Sequence, residues 1–267
     1  MRLAAVWVDD SVPADEDRPW NGPGHPELAD RIAIVGQHAG PAVADRLAFE
    51  TVSHLIVMTH PRSTDIARYF ATVVGGALPA LSVALVPLTV TPLAALVSAS
   101  HTLMGGHGPT TSVALLKATA SQVISGVWLK SVTRLGSPNP SFTQHLRSLF
   151  PRRAGYMALV SPRLEVLMNA ETPLAKSSDQ SVLVTTCEGT GFPSLIEDTF
   201  AGLPAYRLPS TVSIKDAFGS AGFEFMVDEG PAPAVMEMGT PCKACGEPRY
   251  TASCPYCHVI SPNVTAA

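Results

Sequence analysis

The residues His54-Leu-Ile-Val-Met-Thr59, followed by Ser63 to Val74, decide the fold class of this 267-residue chain. The first stretch is short and apolar, which is typical of a strand that is buried on both faces. The second predicts a helix, with Ser63 or Thr64 as its N-cap and Asp65 in its first turn. A buried strand that runs directly into a helix indicates an α/β architecture.

The same alternation continues on both sides of this unit. Further strands are predicted at 31–36, 155–160 and 180–186, a helix at 110–125, and a helix or turn at 162–170. The first thirty residues are rich in proline and glycine, and they are predicted to be irregular. The sequence therefore predicts an α/β domain over 1–233, a linker near 229–233 and a small separate module over 238–262.

The overall charge is mildly acidic, at a formal net charge of -4. A general nucleic-acid-binding protein would carry a basic stripe instead, so we expect no nucleic-acid partner. The N-terminus lacks the charged and apolar regions of a signal peptide, and we expect a cytoplasmic protein.

A long stretch between Arg68 and Lys117 contains no acidic or basic residue other than histidine. The segment 72–100 within it is long enough to span a bilayer. Three prolines interrupt it, however, and would leave backbone groups unpaired in lipid. We therefore expect buried strands and loops, or a subunit interface, and no membrane partner.

Four of the five cysteines lie in the C-terminal module, as Cys242-Lys-Ala-Cys245 and Cys254-Pro-Tyr-Cys257. Two Cys-x-x-Cys pairs at this spacing are typical of a structural zinc site, because four thiolates complete a tetrahedral shell. The alternative is a pair of redox dithiols, although a redox protein normally needs only one such pair. About twenty-five residues cannot bury a core of their own, so a metal would be required to fold them.

Several segments of the body occur in the order found in β-ketoacyl synthases. Glu188-Gly-Thr-Gly-Phe-Pro193 resembles their His-Gly-Thr-Gly-Thr-Pro turn, and Ser213-Ile-Lys215 with Gly219 resembles their Ser-x-Lys-x-x-x-Gly-His segment. Also similar are 154–160 with Leu164-Glu165, Glu197 after the turn, and Gly108-Pro109 before a helix ending at Ser125-Gly126. The resemblance covers about residues 30–228 and implies a thiolase-like, truncated ketosynthase-type domain with a C-terminal four-cysteine zinc ribbon.

The catalytic groups of that family are missing. No cysteine precedes Cys187, and the two histidine positions fall at Glu188 and Ser220. Without a thiolate there is no acyl-enzyme, and without imidazole donors the developing oxyanion loses its stabilisation. Lys215 remains, and a structural ion pair, for example with Glu188, is its favoured role. Glu188, Lys215 and Ser220 are therefore interpreted as degenerate active-site positions.

A ketosynthase fold without catalytic groups implies a chain-length factor, the inactive subunit that pairs with an active ketosynthase. The resemblance thus implies a heterodimer with a ketosynthase in polyketide or fatty-acyl chain assembly, with an acyl-carrier protein as a further partner and no catalytic residues of its own. Two alternatives stay open: an acyltransferase or hydrolase of thiolase-like fold that uses Glu188 or Cys187, and a zinc-ribbon adaptor. A serine hydrolase and a nucleotide-binding protein are disfavoured, because the chain has no Gly-x-Ser-x-Gly and no Walker loop.

Overall fold

The computed structural model describes residues 2–20, 28, 31–136, 138–149, 155–168, 181–188, 191–230 and 239–258. The chain forms two compact units. The first is drawn from 1–88, 98–119 and 231–267, and the second from 89–97 and 120–230. The predicted division into 1–233 and 238–262 remains a prediction.

The first unit is built on a five-stranded sheet. Its elements are β1 (Leu3–Val8), β2 (Asp17–Pro19), β3 (Ile32–Val35), α1 (Gly40–Phe49), β4 (His54–Thr59), α2 (Thr64–Ala77) and β5 (Ser82–Pro87). The strand order is β2-β3-β1-β4-β5, and all neighbours are parallel except β2, which runs antiparallel to β3. The side chains of Val6, Val57 and Phe70 lie in its buried core. The predicted α/β class is therefore confirmed.

Two helices follow β5, namely α3 (Pro92–Met104) and α4 (Pro109–Gln122). The expectation of strands and loops over 72–100 is thus wrong for most of the segment, which holds the end of α2, strand β5 and most of α3. The reason is that Pro92 occupies the first position of α3, where its missing N–H is not needed and its fixed φ favours a helix. None of the helices in the described part of the chain combines the length and apolarity that a bilayer crossing requires.

The second unit is built on a six-stranded sheet. Its elements are β6 (Ile124–Leu129), α5 (Phe142–Ser148), β7 (Tyr156–Ser161), β8 (Glu165–Leu167), β9 (Val182–Thr185), α6 (Ser194–Thr199), β10 (Ala205–Arg207), α7 (Ile214–Phe218) and β11 (Gly222–Asp228). The order is β10-β9-β11-β6-β7-β8, antiparallel except for the β10–β9 pair. A buried carboxylate fastens α3 to this sheet, because Glu224 on β11 accepts hydrogen bonds from the backbone N–H of Leu93 at 2.9 Å and from the Thr211 hydroxyl.

Three local predictions are wrong. Residues 3–8 were expected to be irregular, yet they form the central strand β1, because Leu3-Ala-Ala-Val-Trp-Val8 is buried throughout. The helix predicted to reach Ser125 ends at Gln122, since the residues after it pair in β6. The segment predicted as a helix or turn after Pro162 contains the strand β8, and residues 169–170 lie outside the described residues.

Candidate functional site

The C-terminal cysteines lie in a small ribbon with the strands β12 (Thr240–Pro241) and β13 (Pro248–Arg249), which pair antiparallel. The turn between them is closed by two backbone bonds, from Cys242 N to Glu247 O and from Gly246 N to Cys242 O, both at 2.8 Å. Gly246 has a φ of 77°, a left-handed conformation that glycine adopts without steric cost. This turn folds the first Cys-x-x-Cys back toward the second.

The four sulfurs converge as the spacing predicted. The distances are 3.3 Å from Cys242 to Cys257, 3.7 Å from Cys245 to Cys254 and 3.9 Å from Cys257 to Cys245. A tetrahedral Zn–S₄ centre with bonds of about 2.3 Å requires sulfur pairs about 3.8 Å apart. The cluster could therefore hold a metal ion, and no cysteine of the chain forms a disulfide.

The backbone around the cluster favours thiolate. Hydrogen bonds from the backbone of Cys245 and Ala244 lower the pKa of Cys242 to about 6. Desolvation raises the pKa of the Cys245 thiol to about 12, so Cys242 loses its proton before Cys245 does. A cation at the centre would favour the ionised form of all four, since metals bind cysteine as thiolate.

Two tyrosines attach the ribbon to the rest of the first unit. The hydroxyls of Tyr250 and Thr111 are 2.9 Å apart, at the start of α4. The Tyr256 ring meets the His54 ring edge-on at 5.1 Å, and its hydroxyl donates to Pro109 O at 3.4 Å. Burial raises the pKa of Tyr256, which keeps this hydroxyl a donor. The ribbon is thus docked where β4 begins.

A second polar group of residues lies at the opposite end of β4. Strand β3 lies on one side of β1. The chain then passes through α1 to β4, which lies on the other side of β1, so the strand order switches between β1 and β4. In open α/β sheets, ligands bind at the carboxyl ends of the strands beside such a switch point. Here the residues at that edge are Asp9 after β1, and His60, Arg62 and Ser63 after β4.

Local hydrogen bonds order this edge. Asp9 accepts from the Trp7 indole N–H at 3.0 Å, and from the backbone N–H and the hydroxyl of Ser11 at 2.9 and 2.6 Å. The residues 61–63 form a 3₁₀ turn, in which Arg62 N donates to Nδ1 of His60 at 3.3 Å. This turn leads directly into α2, so the positive end of the helix dipole faces the same edge as the strand ends.

The charges at this edge are mixed, because Arg62 is cationic whereas Asp9 and Asp10 are acidic. Burial, and then the neighbouring Arg62 guanidinium, lower the pKa of His60, against the opposing effect of Asp9 and Asp10. His60 is therefore neutral near pH 7, and the Arg62 side chain is exposed. Sequence reasoning missed this group of residues, although the turn between the strand 54–59 and the helix 63–74 was the place to look for it.

The second unit contains a cleft of about 570 Å³ at one end of its sheet. Trp128 and Phe223, whose rings stack at 5.3 Å, line it together with Cys187, Glu188 and Lys130. Burial raises the pKa of the Cys187 thiol, which donates weakly to the carbonyls of Glu188 and Gly191. No histidine is among the described residues that line this cleft, so the thiol has no base to activate it.

The three degenerate active-site positions are only partly brought together. Glu188 lines the cleft, and Ser220, next to the lining residue Ala221, accepts from the backbone N–H of Ser131 at 3.1 Å. Lys215 lies exposed on α7, and no ion pair joins it to Glu188 within the described residues. The interpretation of these positions remains a prediction.

The fold is similar to that of several solved structures. No protein-family model matches the chain, and no curated protein sequence does so either. A DegV family protein from Corynebacterium glutamicum is similar with a TM-score of 0.54 at 12% identity, over 87% of this chain and 99% of that one. A DegV family protein from Thermus thermophilus, described as fatty-acid-binding, gives 0.53 at 12% identity, over 85% and 99%. One from Eubacterium eligens loaded with heptadecanoic acid gives 0.53 at 11% identity, over 85% and 99%.

This chain therefore has a DegV-like fold. The predicted ketosynthase resemblance is wrong, and so is the thiolase-like fold that it implied, because the matched structures are DegV proteins along nearly their whole length. The chain-length-factor function, the ketosynthase heterodimer, the acyl-carrier partner and the role in polyketide assembly rested on that resemblance and are wrong with it. So are the alternatives of a thiolase-like acyltransferase or hydrolase and of a zinc-ribbon adaptor.

Proposed function

We propose that this protein binds a long-chain fatty acid and holds its carboxylate at the carboxyl edge of the first sheet. The observation that carries the proposal is the fold, which aligns over 85–87% of the chain with DegV proteins described as binding, or loaded with, a fatty acid. The chain spans nearly the entire length of those proteins, so the proposal concerns the whole protein.

The chemistry of the edge supports a carboxylate ligand. Exposed Arg62 offers a guanidinium, which binds carboxylates with two parallel hydrogen bonds. Arg62 lies in the turn that starts α2, and the N-terminus of a helix favours anions. The buried Ser63 ends this turn, whereas the Thr59 hydroxyl already donates to Val8 O at 3.1 Å. A hydroxyl beside a guanidinium is a suitable second donor for a carboxylate oxygen.

Displacement of a fluorescent fatty acid by heptadecanoic acid tests the proposal on the purified full chain. Arg62→Ala should weaken binding by about 10- to 100-fold, since a charge-assisted hydrogen bond contributes about 1.5–3 kcal/mol. Arg68→Ala is the matched control, because Arg68 is exposed on α2 and its guanidinium is paired with Asp65 at 2.8 Å. A wild-type protein that binds no long-chain fatty acid would refute the function. Equal weakening in both variants would refute the assignment of the carboxylate site.

For the cysteine ribbon, we propose that Cys242, Cys245, Cys254 and Cys257 hold a structural zinc ion. A closed shell of four sulfurs leaves no open position for a substrate, so the ion would brace the fold rather than catalyse. Reduced cysteines so close together also suit the cytoplasmic location that we propose. Metal analysis should give one zinc per chain, lost in Cys254→Ser and retained in Cys187→Ser, the control outside the ribbon. A chain purified under reducing conditions that takes up no zinc would contradict this assignment.

A further inference from the structure

The four cysteines of the ribbon differ in their exposure to solvent. Cys242 and Cys254 are buried, Cys257 is half-buried, and Cys245 is exposed. The cysteine outside the ribbon, Cys187, is also buried. A small oxidant that diffuses through water therefore reaches Cys245 more easily than any other cysteine of the chain. Oxidation of cysteine depends on thiolate character and on exposure, and Cys245 combines the two once it binds a metal.

Two neighbouring sulfurs can form a disulfide with Cys245. The Sγ atom of Cys245 lies 3.7 Å from that of Cys254 and 3.9 Å from that of Cys257. Because a disulfide bond is about 2.05 Å long, either pair closes when the two sulfurs approach by less than about 2 Å. The spacing that suits a metal ion therefore also gives an oxidised Cys245 a partner within reach.

The ribbon depends on these sulfurs for its fold and for its position on the first unit. Its strands β12 and β13 have two residues each, and a module of this size cannot bury a core of its own. Tyr256, which contacts His54 and Pro109, directly precedes the ligand Cys257 in the chain. Loss of the metal should therefore release Tyr256 from the first unit. It should also expose Arg249, which is buried in the folded ribbon.

We propose that Cys245 is the site at which a peroxide oxidises the ribbon, and that the resulting disulfide releases the metal and undocks the ribbon from the first unit. The inference rests on the zinc site proposed above and is independent of fatty-acid binding.

The oxidation takes place in two steps. The Cys245 thiolate attacks one oxygen of hydrogen peroxide, the O–O bond breaks, and a sulfenic acid and a hydroxide ion form. The thiolate of Cys254 or Cys257 then attacks the sulfenic sulfur and displaces a second hydroxide ion. Two thiolates thus give two electrons to the peroxide, and the zinc ion loses two of its four ligands. A dithiol reductant reverses the change by thiol–disulfide exchange, after which the ribbon can bind zinc again.

Titration of the zinc-loaded full chain with hydrogen peroxide tests the proposal. A colorimetric chelator measures the zinc released, and mass spectrometry identifies each oxidised cysteine after a cyclic 1,3-diketone has trapped its sulfenic acid. One zinc ion should leave the chain for each peroxide consumed. Cys245 should carry the first label, and the buried Cys187 should stay reduced. Trypsin should cut after Arg249 about tenfold faster or more in the oxidised chain, because the ribbon is then unfolded.

Two ligand exchanges form a matched pair of variants. Cys245→His and Cys254→His each keep a complete shell, since three cysteines and one histidine also hold structural zinc. Cys245→His removes the exposed thiolate, so peroxide should release its zinc about tenfold more slowly or less. Cys254→His retains Cys245 and should release zinc as fast as wild type. The labelling of wild type identifies the first oxidised cysteine even where an exchange prevents zinc binding.

Three results would overturn the proposal. They are zinc that stays bound to wild type in peroxide, a label on a buried cysteine before Cys245, and equal rates of zinc release from the two histidine variants. A reduced chain that takes up no zinc refutes the zinc site itself, and this inference with it. Fatty-acid displacement is measured separately, so its failure would refute the proposed ligand and leave the peroxide result in force.

Discussion

Glu224→Ala should destabilise the protein more than any other single change to a polar residue in the second sheet. Glu224 is fully buried in β11, and its two carboxylate oxygens serve different donors: Oε1 accepts from Leu93 N in the first turn of α3, and Oε2 accepts from the Thr211 hydroxyl. Alanine leaves both donors unpaired in a buried site. At about 1.5–3 kcal/mol for each hydrogen bond to a charged group, the expected loss in the free energy of unfolding is about 3–6 kcal/mol.

Two further substitutions divide this loss. Glu224→Gln keeps a carbonyl oxygen for Leu93 N, and its amide can donate to the rotated Thr211 hydroxyl, so it should cost about 1–2 kcal/mol. Thr211→Val preserves shape but removes one partner of the carboxylate, with a loss of about 1–3 kcal/mol.

Thermal unfolding followed by circular dichroism measures the series. In a chain of this size, a loss of about 4 kcal/mol lowers Tm by about 10 °C. Glu224→Ala should cost most because it loses both hydrogen bonds, and Thr211→Val and Glu224→Gln should cost less because each keeps the bond from Leu93 N. A fall in stability of less than about 1 kcal/mol for Glu224→Ala would show that water or relaxation replaces these bonds, and the reasoning would be refuted.

Two other perturbations give clear expectations. Burial lowers the pKa of His60 in the folded protein, so the unfolded chain binds the proton first as pH falls. The free energy of unfolding should therefore fall as pH drops below about 6.5. His60→Asn should flatten that part of the pH profile when stability is measured by urea unfolding. Gly155→Ala should lower Tm by about 5 °C or more, because Gly155 has a φ of 69° and a methyl group there would collide with the Trp128 ring; Gly136→Ala, where nothing lies close, should leave Tm nearly unchanged.

The sequence predicted features that depend on local chemistry. The strand at 54–59 has the predicted bounds, and Ser63 is the N-cap of the helix that follows. The spacing of the four cysteines predicted that their sulfurs meet, since two Cys-x-x-Cys turns have few other ways to pack. In each case, a few neighbouring residues are enough to fix the geometry.

The rest depended on strand order, which residue patterns do not contain. β1 lies at the centre of the first sheet, but its alanines and the acidic residues after it gave no strong strand signal. The group of Asp9, His60 and Arg62 was missed because these residues are distant in sequence. They share one edge only because β1 and β4 are parallel neighbours.

The misleading ketosynthase resemblance has a similar physical explanation. The segment 188–193 links β9 to α6, and the segment 213–219 holds α7, just before β11. Strands β9 and β11 are antiparallel neighbours, so the end of the first and the start of the second meet at the same end of the sheet. Glycine, threonine and proline are frequent there because turns require them. Two segments in a familiar order at one end of the sheet therefore follow from the topology of this sheet without any shared chemistry. Their resemblance to an active site carries functional weight only where the catalytic side chains are also present, and in this chain Glu188 and Ser220 occupy the positions of the two histidines.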